Sequence, residues 1–152
     1  MCNIPCGEVY FAPLETEANG IIVFDASIGD IGLLKHPLKV SVQKGRITKF
    51  ESDDKELVKR ITELTNIDED AKVIGELGIG VNPGARITGN MLEDEKSLGT
   101  AHIAFGNNAD FPGGGKNHSK IHRDFLFYKP TIEVSYAEGK SKLLMKHGDF
   151  VF

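Results

Sequence analysis

The stretch Ile121-His122-Arg123-Asp124-Phe125 predicts a strand that carries two metal-binding side chains on one face. Because successive side chains of a strand point to opposite faces, His122 and Asp124 point the same way. An imidazole beside a carboxylate is typical of half a metal site. The pair alone is weak evidence, since a strand edge on which Arg123 balances the charge gives the same pattern.

A second histidine precedes this strand by twenty residues, in the apolar run Thr100-Ala101-His102-Ile103-Ala104-Phe105. Two imidazoles and one carboxylate suit zinc, manganese, cobalt or non-haem iron. A single histidine in such a run is more often a satisfied core or surface residue. His102 is therefore a candidate metal ligand only because His122 and Asp124 occur in the same sequence.

Two glutamates also lie inside apolar, strand-like segments. Glu76 lies in Val73-Ile74-Gly75-Glu76-Leu77-Gly78-Ile79-Gly80-Val81, where every neighbour is apolar or glycine, whereas Glu8 in Gly7-Glu8-Val9-Tyr10-Phe11 also fits a solvent-facing position. Carboxylates are seldom buried without a partner or a metal, and the glycines around Glu76 let another group approach the backbone closely. If folding gathers both glutamates with the three residues above, the five donors exceed the needs of one zinc and fit two metals.

Short segments between glycine and proline turn signals predict a strand-rich fold. The alternation of strands and helices that marks a doubly wound sheet is absent from the sequence. We therefore expect an α+β fold with mixed, mostly antiparallel sheets and hairpin turns at Gln43-Lys44-Gly45 and Ala137-Glu138-Gly139. The predicted strands are residues 8–12, 20–25, 38–42, 46–51, 73–81, 101–105, 122–128, 132–136 and 141–146.

One amphipathic helix is well marked in the sequence. Asp53 is expected to cap its start, and Glu56 three residues later completes a capping-box pattern. A second, shorter helical turn is predicted near residues 91–96. The loop 107–120 is long and rich in glycine, a length that is often functional in compact domains, and we interpret its segment 112–116 as a mobile flap over the site. The apolar stripe of the main helix consists of Leu57, Val58, Ile61 and Leu64.

The composition bounds the class of protein. The 152 residues fit a single domain, residues 1–152, and a net charge of -4 gives no reason to propose a nucleic-acid partner. No apolar run approaches the roughly 18 residues of a membrane span, and no signal-peptide pattern opens the chain. Cys2 and Cys6 are the only cysteines and form an incomplete zinc cage. We therefore expect a cytoplasmic protein with no membrane partner.

Other motifs give little support to other chemistries. The segment Pro112-Gly113-Gly114-Gly115-Lys116 lacks the spacing of a phosphate-binding loop, and neither cysteine has a histidine nearby in the sequence. We interpret Glu93-Asp94-Glu95 as the acidic first turn of a helix, although it lies close before the His102 strand. We interpret the remaining histidines as loop or surface residues: His36, His118 and His147.

Four motifs occur here in the same order as in one known family. They are Pro-x-Gly-Glu-Val-Tyr around Glu8, Gly-Glu-Leu-Gly-Ile-Gly around Glu76, Gly-Thr-Ala-His-Ile-Ala-Phe-Gly around His102, and Ile-His-x-Asp at His122 and Asp124. Over essentially its whole length the chain resembles the C-terminal catalytic part of the aminopeptidase T family. These are the M29-type thermophilic metallo-aminopeptidases, which are also called leucyl aminopeptidases.

The resemblance implies a homodimeric enzyme that removes N-terminal residues from peptides with two divalent cations, zinc, cobalt or manganese. Family members are much longer and carry an N-terminal α/β domain that has no counterpart in these residues. We therefore expect a domain that is incomplete or inactive alone, or that a separate chain completes. Matched residue by residue, the family's ligands are Glu8, Glu76, His102, His122 and Asp124, of which Glu8 and Glu76 also have catalytic roles.

One departure from the family leaves alternatives open. Its aminopeptidases carry a tyrosine ligand a few residues after the first histidine, whereas Gly106-Asn107-Asn108-Ala109-Asp110 contains none, so that Tyr128 or Asp110 would have to substitute. A related branch is similar to dihydroxypyridine ring-cleaving dioxygenases, which use one iron on two histidines and an aspartate. The two histidines and the aspartate named above match that set equally well. A third alternative is a non-enzymatic metal-binding or interaction domain.

Overall fold

A computed structural model describes residues 6–111 and 114–151. Cys2 and the Pro112-Gly113 part of the predicted flap lie outside these ranges. The described strands are β1 (Glu8–Phe11), β2 (Gly20–Phe24), β3 (Ser27–Ile28), β4 (Gly32–Leu33), β5 (Leu38–Gln43), β6 (Arg46–Glu51), β7 (Ile74–Gly80), β8 (Thr100–Gly106), β9 (His122–Tyr128), β10 (Ile132–Ser135), β11 (Ser141–Lys146) and β12 (Asp149–Phe150). The described helices are α1 (Lys55–Thr65), a 3-10 turn (Glu69–Lys72) and α2 (Met91–Asp94).

The largest sheet has six strands in the order β1-β7-β8-β9-β3-β4, and its neighbours pair antiparallel. The register places Glu76 opposite Ala104, and Ala104 opposite Asp124, so that these three residues stand in one row across the sheet. In the next row Gly78 stands opposite His102. Paired residues of neighbouring strands point to the same face of a sheet, and this register therefore decides which side chains meet.

The core lies between one face of this sheet and a second layer, which consists of the sheet β2-β5-β6 and helix α1. Phe125 is central to it, with ring centroids 5.3 Å from Phe105 and 5.1 Å from Phe24. Leu57 and Ile61 of α1 are buried in the same cluster. Each such burial contributes roughly 1.5–3 kcal/mol. Because Phe105 and Phe125 point to this core, the residues on either side of them in sequence point to the opposite face.

The last three strands form a separate antiparallel sheet, β10-β11-β12. The residues that lead from β9 into this sheet are held by two backbone hydrogen bonds: Lys129 N donates to Gly99 O, directly before β8, at 3.0 Å, and Gly148 N, between β11 and β12, donates to Pro130 O at 2.9 Å. None of the described helices is long and apolar enough to cross a membrane.

The structure confirms the predicted class, α+β with mostly antiparallel sheets and one main helix. All nine predicted strands form, to within one residue at either end, and the predicted turns contain left-handed residues, with φ of 48° at Lys44 and 79° at Gly139. The strands β3, β4 and β12 were missed because two residues are too short to show an alternation.

The predicted helix cap is wrong by one residue. Asp54, not Asp53, caps α1, and its Oδ1 accepts a hydrogen bond from Leu57 N at 3.0 Å. Ser52 Oγ accepts a hydrogen bond from Asp54 N at 3.2 Å. This bond holds Asp54 in the capping position, and the helix therefore begins one residue later than the capping-box pattern indicates. The predicted short turn forms as α2.

Candidate metal centre

Four neighbouring strands of the large sheet bring the predicted donors to one face. Glu8 on β1 stands opposite Gly80, and Gly106 on β8 stands opposite His122. Together with the rows described above, this register puts every donor on the face that is turned away from the core. The donors are Glu8 on β1, Glu76 on β7, His102 on β8, and His122 and Asp124 on β9.

Glycines of β7 make room for the site. A Cβ at Gly78 would lie 2.1 Å from the Cε1 and Nε2 atoms of His102, so only a residue without a side chain lets this imidazole cross β7. A Cβ at Gly80 would lie 2.0 Å from the carbonyl oxygen of Ser97, in the segment that follows α2. The Gly-Glu-Leu-Gly-Ile-Gly motif therefore supplies one carboxylate, and its glycines leave space for the His102 ring and for the backbone of Ser97.

The donor atoms form two groups that share Glu76, whose Oε1 lies 3.3 Å from His102 Nε2 and whose Oε2 lies 2.9 Å from His122 Nε2. In the Glu8 group (Glu8, Glu76 and His102), Glu8 Oε2 lies 3.8 Å from His102 Nε2. In the Asp124 group (Glu76, His122 and Asp124), Asp124 Oδ1 lies 3.4 Å from His122 Nε2. Within each group the donor atoms all lie within 4.8 Å of one another. A carboxylate with one oxygen toward each group has the geometry of a bridge between two ions.

Among the protein groups themselves, the imidazoles balance the carboxylates. Burial opposes the charge of Glu76, but hydrogen bonds from His102 and His122 outweigh it and lower the pKa of Glu76 to about 2. Burial also disfavours the charge of His122, but Asp124 and Glu76 raise its pKa to about 11. The pKa of His102 is raised as well, against its desolvation, chiefly by the hydrogen bond to Glu76 and the charge of Asp124. The site is therefore built to hold positive charge.

The donor chemistry fits a divalent cation. Imidazole nitrogens and carboxylate oxygens are the ligands that zinc, manganese, cobalt and iron accept. His122 Nδ1 lies 2.7 Å from the carbonyl oxygen of Asn107, a contact that leaves Nε2 directed at the site, as in metal-binding histidines. His102 is only 1% exposed, and its Nδ1 finds no hydrogen-bond partner among the described residues. Both rings therefore present Nε2 to the carboxylates.

Two residues beside the centre were missed in the sequence. Glu95 and Lys96 follow α2, are buried and form an ion pair, and Lys96 Nζ also lies 3.3 Å from Glu8 Oε1. The prediction of an acidic first helical turn holds for Glu93 and Asp94, whereas Glu95 follows the helix and is buried. The pKa of Glu95 is raised by burial and, against the Lys96 hydrogen bond, by the charges of Asp124 and Glu8. No signal in the sequence marked this pair, because adjacent charges that follow a helical turn are usually solvated.

The remaining candidates lie elsewhere. Asp110 is exposed and belongs to neither donor group. Tyr128 stands opposite Thr100, four residues along β9 from Asp124, which is about 13 Å in a strand. Neither residue is placed to replace the family's tyrosine ligand. The other histidines are exposed, as predicted: His36, His118 and His147.

An aromatic wall adjoins the Asp124 group. The ring of Phe111 lies 5.1 Å from that of Tyr10, edge to face, and 5.5 Å from the imidazole of His122. It offers apolar surface next to a charged site, an arrangement typical of small-molecule and peptide pockets.

Comparison with known proteins gives one family and two similar structures. The family model for thermophilic metalloproteases (M29) matches residues 1–150. The solved structure of AmpT from Thermus thermophilus has a TM-score of 0.79 and 22% sequence identity over 97% of this chain. That of 2,5-dihydroxypyridine dioxygenase from Pseudomonas putida has a TM-score of 0.76 and 22% identity over 93%. This chain spans 40% and 42% of those two chains, and no curated protein matches its sequence.

Proposed function

Because the chain belongs to the M29 family of thermophilic metalloproteases, we propose that it is the catalytic part of a metal-dependent aminopeptidase that removes N-terminal residues from peptides. The observation that carries the proposal is the pair of donor groups that share Glu76. A single ion needs only one of these groups, whereas two ions use all five donors. This chain spans less than half of either similar structure, and the activity of a whole protein is therefore part of the proposal.

We assign one ion to the Glu8 group and the other to the Asp124 group, with zinc, cobalt or manganese as the metal. Two such ions supply the activation of a water nucleophile and the polarisation of the scissile carbonyl. The sum of the charges at the site supports two ions and not one. With both imidazoles neutral, as metal ligands must be, Glu8, Glu76 and Asp124 carry three negative charges, and Glu95 with Lys96 adds none in sum. One divalent cation leaves the site anionic, whereas two make it cationic by one charge, which suits an electron-rich carbonyl.

The two glutamates take different roles in this proposal. Glu76 has one oxygen toward each histidine and serves as the bridge, which fits a pKa too low for a proton acceptor near neutral pH. Glu8 lies on the edge strand β1 with a side chain that is 19% exposed. We assign to Glu8 Oε1, the oxygen that does not face the ion, the proton that leaves the attacking water and passes to the departing amine. The free α-amino group of the peptide binds in the same acidic surroundings.

The test is hydrolysis of leucine 4-nitroanilide by protein that has been stripped with a chelator and reloaded with Mn²⁺, Co²⁺ or Zn²⁺. Release of nitroaniline that appears on reloading and disappears on stripping is the expected result. A fully reloaded, folded sample without turnover, measured beside an active full-length relative, contradicts an activity of this chain alone. If the N-terminal domain of that relative, added as a separate chain, then restores turnover, the proposal of an incomplete catalytic part stands.

A second candidate function is ring cleavage by a mononuclear iron dioxygenase. It is favoured by the likeness to the Pseudomonas putida enzyme and by the placement of Asp124 Oδ1, 3.4 Å from His122 Nε2 and 4.0 Å from His102 Nε2. This function needs one ion per chain and neither glutamate. Elemental analysis separates the candidates. A dioxygenase holds one iron that survives Glu8→Gln and Glu76→Gln, whereas the proposed peptidase holds two ions, loses one of them in Glu8→Gln and loses both in Glu76→Gln.

The assembly and location of the protein are further proposals. We propose a homodimer in the cytoplasm, with a peptide or a small molecule as the substrate. Light scattering of the purified chain measures its mass in solution, and a monomer at micromolar concentration contradicts the dimer. A chain that binds metal, acts on neither substrate class and gains no activity from the added domain would be a metal-binding or interaction domain.

A further inference from the structure

A lysine ammonium group is buried at the border of the Glu8 group. The Lys96 side chain is 2% exposed and lies between two carboxylates, forming ion pairs with Glu95 and with Glu8. Burying an ammonium ion is costly unless it is paired and hydrogen-bonded, and both partners here are negatively charged. Lys96 therefore belongs to the polar interior of the site, although it is not a metal donor.

The backbone around Lys96 is fixed from two sides. On one side Asp94 is fully buried, and its carboxylate accepts hydrogen bonds from Ser27 Oγ at 2.7 Å and from Thr88 N at 2.7 Å. On the other side the carbonyl oxygen of Lys96 accepts from Asn82 N at 2.8 Å, directly after β7. The segment crosses β7 where Gly80 leaves room for it. The position of the ammonium group is thus set by the fold and not by a flexible loop.

Lys96 divides the two oxygens of Glu8 between two tasks. Its Nζ lies 3.3 Å from Glu8 Oε1, while Glu8 Oε2 is directed at His102, with 3.8 Å between Oε2 and Nε2. A carboxylate with one oxygen held by an ammonium ion has a single oxygen left for a cation. Groups that orient a metal-binding carboxylate in this way are part of what sets its affinity.

We propose that Lys96 is a positioning residue, which holds Glu8 as a one-oxygen ligand and so sets the affinity of the ion in the Glu8 group. The inference rests on the proposed function, because it presumes an ion in each donor group. Lys96 acts through orientation more than through charge, because Glu95 beside it carries the opposite charge. Removing Lys96 alone would leave Glu95 unpaired and make the site more anionic. The informative variant therefore changes both residues.

The test compares the wild-type chain with the double variant Glu95→Gln/Lys96→Met, in which the sum of the two charges stays the same. Each metal-stripped protein is dialysed against a series of free Co²⁺ concentrations, and bound cobalt is counted by elemental analysis. We expect the wild type to bind two ions, and the variant to bind the first as tightly as the wild type and the second roughly 10–100-fold more weakly. The matched control is Glu51→Gln/Lys49→Met, which removes an exposed ion pair with an Nζ–Oε1 distance of 2.9 Å and leaves both ions unchanged.

The outcomes separate this inference from the proposed function. Two ions bound by the double variant with wild-type affinity overturn the role of Lys96 and leave the proposed function intact. A wild-type chain that binds no cobalt, or a single ion, overturns both. If the double variant does not fold, as judged by circular dichroism, Glu95→Gln/Lys96→Leu replaces it, because leucine fills part of the same space and has no group that donates a hydrogen bond to Glu8. The same weakening of the second ion is expected there, and its absence overturns the inference.

Discussion

The Glu8 group and the Asp124 group share one carboxylate but are built in different ways. In the Asp124 group, His122 and Asp124 come from one strand, two residues apart, and Asn107 O contacts the far nitrogen of the imidazole. Local strand geometry thus arranges this group almost by itself. Its imidazole is 30% exposed, and an ion can therefore reach it from solvent.

The Glu8 group depends on more of the fold. Its donors come from three strands, and one of them, Glu8, lies on the edge strand and is held by Lys96. His102 is deeply buried, and its Nδ1 finds no partner among the described residues, so no hydrogen bond among them holds the far side of its ring as Asn107 O holds that of His122. The comparison teaches that a donor set with the same chemistry can be preorganised to different degrees. We expect the Asp124 group to bind the first and tighter ion.

The largest effect is expected where the two groups meet. Glu76→Gln removes the shared carboxylate and should abolish binding of both ions and all activity, because each group then retains only two donors. Isothermal titration with Zn²⁺ measures this loss. Glu63→Gln, on the exposed face of α1, is the control and should bind as the wild type does. Retention of one tight ion in Glu76→Gln would contradict a shared ligand.

Single-group variants sharpen the difference between the groups. Asp124→Asn should remove the tight ion and leave weak binding in the Glu8 group, whereas Glu8→Gln should leave one ion bound with an affinity close to that of the first wild-type ion. Bound metal after dialysis at low free Zn²⁺ measures both. If Glu8→Gln loses the tight ion and Asp124→Asn keeps it, the order of the two groups is reversed.

A glycine substitution should disrupt the Glu8 group without replacing any of its donors. Gly78→Ala puts a Cβ 2.1 Å from the His102 ring, which must move off β7. We expect the second ion to be lost and the free energy of unfolding to fall by about 1–3 kcal/mol, since extra volume in a packed site forces side chains from their rotamers. Urea unfolding of the metal-stripped protein measures the stability. In the control Gly29→Ala, the new Cβ meets its nearest atom at 3.5 Å, an ordinary contact.

The smallest expected effect is on pH dependence. The pKa of His122 is raised to about 11, above the value near 6.5 of an unfolded histidine, so its stabilisation is complete below pH 6.5 and is lost as the pH rises toward 11. Glu76, with a pKa of about 2, contributes stability above its unfolded value and loses it only in strong acid. The melting temperature of chelator-treated protein should therefore fall between pH 6.5 and 9. His122→Asn should flatten this slope, and an unchanged slope in that variant would contradict the assignment to His122.

The Asp124 group could be predicted from the sequence better than the Glu8 group, and for a physical reason. His122 and Asp124 are neighbours in one strand, and the period of two alone puts them on one face. That Glu8 and Glu76 join them depends on strand order and register, which alternation does not specify, and their assignment came from the resemblance to a family. Glu76 was the stronger candidate of the two because only apolar residues and glycine surround it.

The pair of Glu95 and Lys96 shows where pattern reasoning fails. Two adjacent charges after a helical turn are usually solvated, and nothing within the segment indicates burial. Their burial follows from the crossing of β7 at Gly80, a contact between parts of the chain that are distant in sequence. The helix cap differs for a milder reason, since Asp53 and Asp54 both suit the role and a hydrogen bond to Ser52 selects the second.

Because Glu76 belongs to both donor groups, the binding of the two ions is thermodynamically coupled. If one ion changes the affinity of the other by some factor, through shared ligand orientation or mutual repulsion, the second must change the first by the same factor. Occupancy is then a joint property, and a chelator that withdraws the loosely held ion alters the retention of its neighbour. Metal content measured at a single free-ion concentration would give the affinity of neither donor group on its own.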